Sequence, residues 1–231
     1  MPFTINNDLL IQSRTVLSKR NKLYWVVGGA GSGKTTICRT LSALFNIPVY
    51  DMDEHIYGTY HCRFTQERHP INRTWSMAQD GLAWLLDMSW AEFNSFNQAA
   101  LPEYLDLLSE DIAATEPNAG MLIDGGISNP ALIAQVISPR QIVCLTRPER
   151  SSADIWQETD ERNSMKEIVS QLPNPGEAWC SFLEFDVLFT QTILKECREN
   201  RISVCLRNEA ESIDEFAEEV ANVLGVCSNF K

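Results

Sequence analysis

Basic residues are scarce in this sequence. Its 231 residues include 19 Lys and Arg against 31 Asp and Glu, which gives a formal net charge of −12. A protein with this charge repels nucleic-acid backbones and anionic membrane surfaces, so we expect neither as a partner. An anionic ligand therefore needs a local positive site on this chain.

Long apolar runs and paired cysteines are also missing. No run approaches the roughly 20 apolar residues that span a bilayer, and Met1–Asp8 lacks the charged and apolar regions of a signal peptide. The seven cysteines form no C-x-x-C pair, and the three histidines have no recognised metal-ligand spacing. We therefore expect a soluble, cytoplasmic protein with free thiols and no metal centre built from histidine and cysteine.

The order of apolar segments predicts the fold class. Hydrophobic residues make up 44% of the chain, enough to bury the core of one domain spanning residues 1–231. Short apolar runs predict five strands, at 23–27, 47–50, 121–123, 141–145 and 202–206. Helical patterns occur at 8–20, 35–45, 130–137 and 212–224. Because strands alternate with helices, we predict an α/β three-layer sandwich with a five-stranded, mostly parallel sheet.

Two stretches interrupt this alternation. Residues 55–118 lack a convincing strand and predict three helices, at about 72–88, 89–100 and 102–115, which we interpret as a substrate-binding insertion. Its tryptophans, at 75, 84 and 90, favour core packing over contact with a substrate because their helical spacing matches that of neighbouring leucines. Residues 147–176 are polar and contain arginines, which suggests a lid. The alternative for both stretches is helical decoration without a function.

One motif binds phosphate. A glycine-rich segment between the first strand and the following helix satisfies G-x-x-x-x-G-K-[ST]. Its backbone N–H groups and the positive end of the helix are expected to hold a nucleotide, with Lys34 on the β- and γ-phosphates and Thr35 on Mg²⁺. The expected nucleotide-binding residues of this segment are Gly28, Gly29, Ala30, Gly31, Ser32, Gly33, Lys34, Thr35 and Thr36.

Carboxylates follow the next two strands. Asp51 and Asp53 come directly after the second strand, and Asp124 follows the third. Ligands collect at the carboxyl ends of parallel strands, so these side chains are expected to lie near the phosphate loop. One of the pair Asp51 and Asp53 can hold Mg²⁺ while the other accepts a proton from an attacking hydroxyl, and Asp124 is a possible metal ligand. The alternative for each is a helix cap or turn residue.

These pieces together resemble the small P-loop kinases of metabolites, such as shikimate kinase and gluconate kinase, with adenylate kinase more distant. The resemblance covers about half of the chain, in residues 28–36, 49–54, 122–126 and 143–150. It implies that Asp51 lies on the magnesium side and that Asp53 is the base that contacts the acceptor. It also implies that Gly125 and Gly126 line the substrate, that arginines from 147 to 162 close over ATP, and that the loop at 207–210 lies near adenine.

The remaining candidate site residues are arginines. Arg63, Arg68 and Arg73 begin the long insertion and suit an anionic acceptor, although solvated surface arginines are the alternative. In the suggested lid, Arg150 and Arg162 are expected to stabilise charge on the transferred group, and surface ion pairs are the alternative. Arg147 and Arg207 are the expected nucleotide contacts outside the loop.

The sequence therefore predicts an enzyme that uses ATP and Mg²⁺ to phosphorylate a hydroxyl of a small molecule. A nearer alternative is a nucleoside monophosphate kinase, in which the insertion arginines hold an acceptor phosphate and no base is needed. Another alternative is a nucleotide-dependent switch with little chemistry. The sequence identifies neither the acceptor nor the oligomeric state.

Overall fold

The computed structural model describes residues 3–126, 129–147, 150–157, 160–208 and 211–226. Its strands are β1 (Leu23–Val27), β2 (Val49–Asp51), β3 (Met121–Asp124), β4 (Ile142–Thr146) and β5 (Ser203–Leu206). Its α-helices are α1 (Asn7–Leu17), α2 (Lys34–Phe45), α3 (Met52–Tyr57), α4 (Pro70–Ser76), α5 (Gly81–Leu86), α6 (Trp90–Ala113), α7 (Pro130–Val136), α8 (Ser152–Ile155), α9 (Asp160–Ser170), α10 (Pro175–Glu199) and α11 (Ile213–Leu224).

All five strands are parallel and form one sheet in the order β2-β3-β1-β4-β5. The register pairs Asp124 with Val26 on one side and with Asp51 on the other. The ends of β1, β2 and β3 therefore lie level with one another. The predicted α/β class with a five-stranded sheet is confirmed.

Side chains bury both faces of the sheet. Along β1, Trp25 and Val27 pack into one core cluster, which also contains the buried face of α6, while Tyr24 and Val26 pack into a second cluster with α2 and α11. This alternation follows from the two-residue period of a strand. A central strand covered on both faces has to be apolar throughout, as β1 is. The predicted three layers are present.

The strand order creates a crevice beside β1. The connection from β1 runs to β2, at one edge of the sheet. The connection from β3 runs in the opposite direction, to β4. Adjacent strands whose connections diverge leave a gap at their carboxyl ends, where ligands of open α/β sheets bind. The segments that open onto this gap are the glycine-rich loop after Val27 and the glycine pair after Asp124.

The helices of the 55–118 insertion differ from the prediction. The expected helix at 72–88 is two helices, because Asp80 caps a new one by accepting hydrogen bonds from the N–H groups of Leu82 and Ala83. The expected helices at 89–100 and 102–115 are one, α6, which continues through Pro102. Proline removes one helix hydrogen bond and normally breaks a helix. Here the burial of most of α6 overrides that preference.

Four of the cysteines, at 38, 144, 197 and 205, are buried free thiols, whereas Cys62 and Cys180 are free and exposed. Cys227 lies outside the described residues. In the described part of the chain, no helix combines the length and apolar character needed to cross a membrane.

Candidate functional site

The glycine-rich loop adopts a backbone that suits phosphate. Gly28 and Gly33 have positive φ angles of 149° and 91°, which residues with a side chain rarely adopt. Helix α2 begins at Lys34, directly after Gly33, and no side chain caps its N-terminus. The first N–H groups of α2 therefore remain available to an anion, in the field of the helix dipole.

Lys34 folds back over this loop. Its Nζ atom donates hydrogen bonds to the carbonyl oxygens of Gly28, at 2.9 Å, and Gly29, at 3.0 Å. Burial lowers the pKa of Lys34 from its ordinary value of 10.5, although the carboxylates of Asp53 and Asp124 act in the opposite direction. The cation is thus held at the mouth of the loop between backbone oxygens and two acids.

Gly28 has no room for a side chain. A Cβ at this position would lie 2.3 Å from the carbonyl oxygen of Leu145 and 2.7 Å from Oγ of Ser32. We expect Gly28→Ala to lower the free energy of unfolding by about 1–3 kcal/mol through this overlap. The variant should also bind a fluorescent ATP analogue more weakly, because relief of the overlap displaces the loop. Urea unfolding and nucleotide titration measure the two effects.

Gly176 provides the matched control. It lies in the first turn of α10, and a Cβ there would meet no atom within 4 Å. Gly176→Ala should therefore leave nucleotide binding unchanged and keep or slightly raise stability. Wild-type nucleotide affinity in Gly28→Ala would contradict the assignment of this loop.

The two acids after β2 have different partners. Asp51 caps α3, because its side chain accepts a hydrogen bond from the N–H group of Glu54 at 3.0 Å. Asp53, in the first turn of α3, accepts a hydrogen bond from the N–H group of Gly126 at 3.2 Å. A Cβ on Gly125 would lie 2.6 Å from Oδ2 of Asp53. The Asp53 carboxylate is therefore seated directly on the glycine pair after β3.

Asp53 also interacts electrostatically with Lys34. Burial raises the pKa of Asp53 above its ordinary value of 3.8, the Lys34 ammonium lowers it, and Asp51 raises it further. Although the residue reaches solvent, the surrounding protein excludes enough water to favour the neutral form. A carboxylate with a raised pKa holds a proton more firmly than an ordinary aspartate, which suits it to accept one.

Asp124 is the buried member of the acidic group, with 3% of its surface exposed. Burial raises its pKa, and a hydrogen bond with the Thr35 side chain acts in the opposite direction. Its Oδ1 atom has no hydrogen-bond partner among the described residues. An oxygen of this kind beside a threonine hydroxyl fits Mg²⁺, which takes one or two protein carboxylates together with phosphate oxygens. The described residues hold no group of three His, Cys, Asp or Glu side chains suited to a metal.

Four arginines approach the glycine-rich loop from its other side. Nη1 of Arg162 lies 3.1 Å from the position of a Cβ on Gly31, and Nη1 of Arg207 lies 3.6 Å from one on Gly33. Arg147 and Arg150 line a cavity of about 390 Å³, together with Gly29, Ala30 and Ser32 of the loop and residues of α10. The structure thus brings all four predicted arginines to the loop, and their functional roles stay predictions. Residues 209 and 210, in the loop expected near adenine, lie outside the described residues.

Two of the three insertion arginines bind carboxylates of α6. Arg63 donates to Asp111 at 3.0 Å and to Glu110 at 3.1 Å. Arg68 pairs with Asp106, a buried carboxylate whose pKa is lowered to about 2, with hydrogen bonds from His69 and Arg68 overcoming its burial. Arg73, half-buried on α4, has no side-chain ion pair among the described residues. The contacts of Arg63 and Arg68 give them a structural role, and binding of an acceptor by any of the three stays a prediction.

Sequence reasoning missed Tyr57. This residue lies four positions after Asp53 on α3, on the same helix face, and 61% of its surface is exposed. The protein around its hydroxyl group raises its pKa to about 12, and the charge of Asp53 adds to the effect. The spacing from Asp53 was a usable signal, but the short helix α3 was not predicted. Of the insertion tryptophans, Trp75 is a core residue and Trp84 is partly buried against the core, in agreement with the prediction. Trp90 is half-buried and contacts the buried Phe185.

A larger cavity, of about 540 Å³, lies between α5 and the start of α10. Trp84, Asp87 and Glu177 are among its lining residues. None of its lining residues belongs to the glycine-rich loop or to a strand end, so this cavity is separate from the acids and the lysine described above.

Comparison with known proteins gives similarity in structure only. No protein-family model matches the chain, and no curated protein sequence matches it. A shikimate kinase from Acinetobacter baumannii, solved in complex with shikimate, is 15% identical and has a TM-score of 0.43, and the match covers 89% of this chain and 93% of that one. The protein TT1252 from Thermus thermophilus is 18% identical with a TM-score of 0.49, covering 88% and 96%. The fold assignment rests on the chain's own strand order and glycine-rich loop.

Proposed function

We propose that this protein is a phosphotransferase that moves the γ-phosphate of ATP to a hydroxyl of a small-molecule acceptor. The observation that carries the proposal is the Asp53 carboxylate. It rests on the N–H group of Gly126 and interacts with Lys34, the cation of the glycine-rich loop. These contacts support a proton acceptor close to the cation that would hold the phosphates.

The loop and the first turn of α2 would hold the phosphates. Lys34 would exchange its bonds to the Gly28 and Gly29 carbonyls for bonds to phosphate oxygens. Thr35 and Asp124 are the residues that would hold Mg²⁺. Asp51 would lie on the magnesium side of the nucleotide. When bound, the ion would neutralise charge on the phosphates.

Asp53 would accept the proton of the acceptor hydroxyl. The hydroxyl oxygen then forms a bond to the γ-phosphorus, the bond from that phosphorus to the β–γ bridging oxygen breaks, and ADP leaves. The proton passes from Asp53 to water. Arg150 and Arg162 are the residues that would stabilise charge on the transferred group, since phosphoryl transfer depends mainly on position and electrostatics.

The nucleoside monophosphate kinase alternative receives less support. It needs insertion arginines that are available to an acceptor phosphate, whereas Arg63 and Arg68 are bound to carboxylates of α6. Arg73 is the member of the trio that this alternative would have to use.

An ADP-release assay tests the proposal. With Mg·ATP and a panel of sugars, polyols, sugar acids, nucleosides and nucleoside monophosphates, we expect at least one hydroxyl acceptor to stimulate ADP release to about 1–100 per second. Stimulation by nucleoside monophosphates alone would support the nearer alternative. Nucleotide binding without stimulation by any compound would favour a switch and contradict the proposal.

A further inference from the structure

We infer that Tyr57 is a stacking platform for the ring of a cyclic, hydroxyl-bearing acceptor. The inference rests on the proposed function, because it concerns the substrate class of the same site. It assigns the recognition of the acceptor to an aromatic face beside the base, in place of the arginines Arg63 and Arg68.

The position of Tyr57 is set by the helix that carries Asp53. The two residues are four apart on α3, so their side chains leave the same face of the helix. At this spacing the charge of Asp53 adds to the raised pKa of Tyr57. An acceptor whose hydroxyl contacts Asp53 therefore lies beside Tyr57.

The ring of Tyr57 is accessible to a ligand. Among the described phenylalanine, tyrosine and tryptophan residues it is the exposed one. Yet the surrounding protein excludes enough water to raise the pKa of its hydroxyl. Asp53, one helical turn away, is exposed as well, so one ligand can reach both side chains.

The ring of Tyr57 packs against an aromatic neighbour. The ring of the buried Trp75 meets it edge to face, with centroids 5.9 Å apart and an interplanar angle of 77°. Helix α3 ends at Tyr57. The next residue, Gly58, has no room for a side chain, because a Cβ there would lie 2.6 Å from the carbonyl oxygen of Glu54. A fixed ring loses little conformational freedom when a ligand stacks on it.

The flat face of this ring selects for a ligand with a flat or cyclic body. A ring of the ligand covers the apolar face of Tyr57 and removes it from water, whereas an acyclic polyol covers less of it at a greater loss of conformational freedom. The hydroxyl that reacts extends from that ring toward Asp53. Cyclic sugars, cyclitols and nucleosides share this chemistry.

Direct binding tests the inference without requiring turnover. The probes are glucose, myo-inositol and adenosine as cyclic compounds, and sorbitol and glycerol as acyclic ones, titrated calorimetrically into the protein with Mg·ADP. We expect a cyclic probe to bind wild type and Tyr57→Phe alike, and Tyr57→Leu about tenfold more weakly. In the ADP-release assay, Tyr57→Leu should raise KM for that compound about tenfold and change kcat by about twofold or less.

Met77 provides the matched control. It is an exposed apolar residue of the same insertion, directly after α4, with 66% of its surface exposed. Met77→Ala should bind all probes as wild type does. Equal binding of the cyclic probe to wild type and Tyr57→Leu, preference for the acyclic probes, or no binding of any cyclic probe would each overturn the inference. Tyr57-dependent binding without ADP release would leave the inference standing and would contradict the proposed function.

Discussion

Replacement of Asp53 by Asn is expected to lower kcat of acceptor phosphorylation by about 10²–10⁴, the usual contribution of a general base. The amide keeps an oxygen for the N–H group of Gly126 but cannot take a proton from the acceptor hydroxyl. Because Asp53 does not hold the loop, KM for ATP should change by about threefold or less. Steady-state kinetics with the acceptor found by ADP release measure both parameters.

The pH profile of the same variant shows whether the lost group is a base. The pKa of Asp53 is raised above 3.8, so its protonated form persists to higher pH than that of an ordinary aspartate. Wild-type kcat/KM should therefore rise with pH through this raised pKa, and the acid limb should disappear in Asp53→Asn. Asp80→Asn is the control, since either side chain caps α5. More than a tenth of wild-type turnover in Asp53→Asn would contradict the role of a base.

Replacement of Lys34 by Met is expected to abolish stabilisation by nucleotide. A ligand at 100 times its Kd stabilises the native state by about 2.7 kcal/mol, which raises Tm by about 5–10 °C for a chain of this size. Wild type with Mg·ATP should show this shift, and Lys34→Met should not. Turnover should also fall by about 10²–10³, the effect of removing one preorganised charge-stabilising group.

The ligand-free variant should still fold, with a free energy of unfolding within about 1–3 kcal/mol of that of wild type. Methionine removes a charge that burial disfavours and keeps a similar chain length, but it also removes the hydrogen bonds to Gly28 and Gly29, so the two effects oppose each other. Thermal unfolding without nucleotide therefore separates loss of binding from loss of fold. Lys195→Met, at an exposed position on α10, is the control and should keep the full nucleotide shift. An equal rise in Tm with Mg·ATP in Lys34→Met would show that the lysine does not contribute to nucleotide binding.

Local patterns in the sequence were enough to predict the sheet and the position of the glycine-rich loop. The strand at 23–27 and the loop after it carry their own signals, namely a buried apolar run and glycines at positions that need a positive φ. The acids at 51, 53 and 124 could be predicted near this loop because parallel strands end at the same edge of a sheet.

Long-range contacts decide what the sequence could not predict. Arg63 and Arg68 are close to Asp53 in sequence, but their ion pairs are with α6, some 40 residues later. The packing of α6 also carries it through Pro102, against the local preference for a break. The sequence around Tyr57 does not show that α3 places it one turn from Asp53 or that its ring packs against Trp75. Each outcome depends on partners that a local pattern does not contain.

A crystal structure with Mg·AMP-PNP is the most direct measurement of the central claim, which is that the glycine-rich loop holds a triphosphate with its last phosphate facing Asp53. We expect the phosphates to accept hydrogen bonds from the loop N–H groups and from Lys34, with the terminal phosphate facing the carboxylate that now rests on Gly126. A nucleotide bound elsewhere, a loop without density for phosphates, or an Asp53 carboxylate turned away from the terminal phosphate would contradict the account.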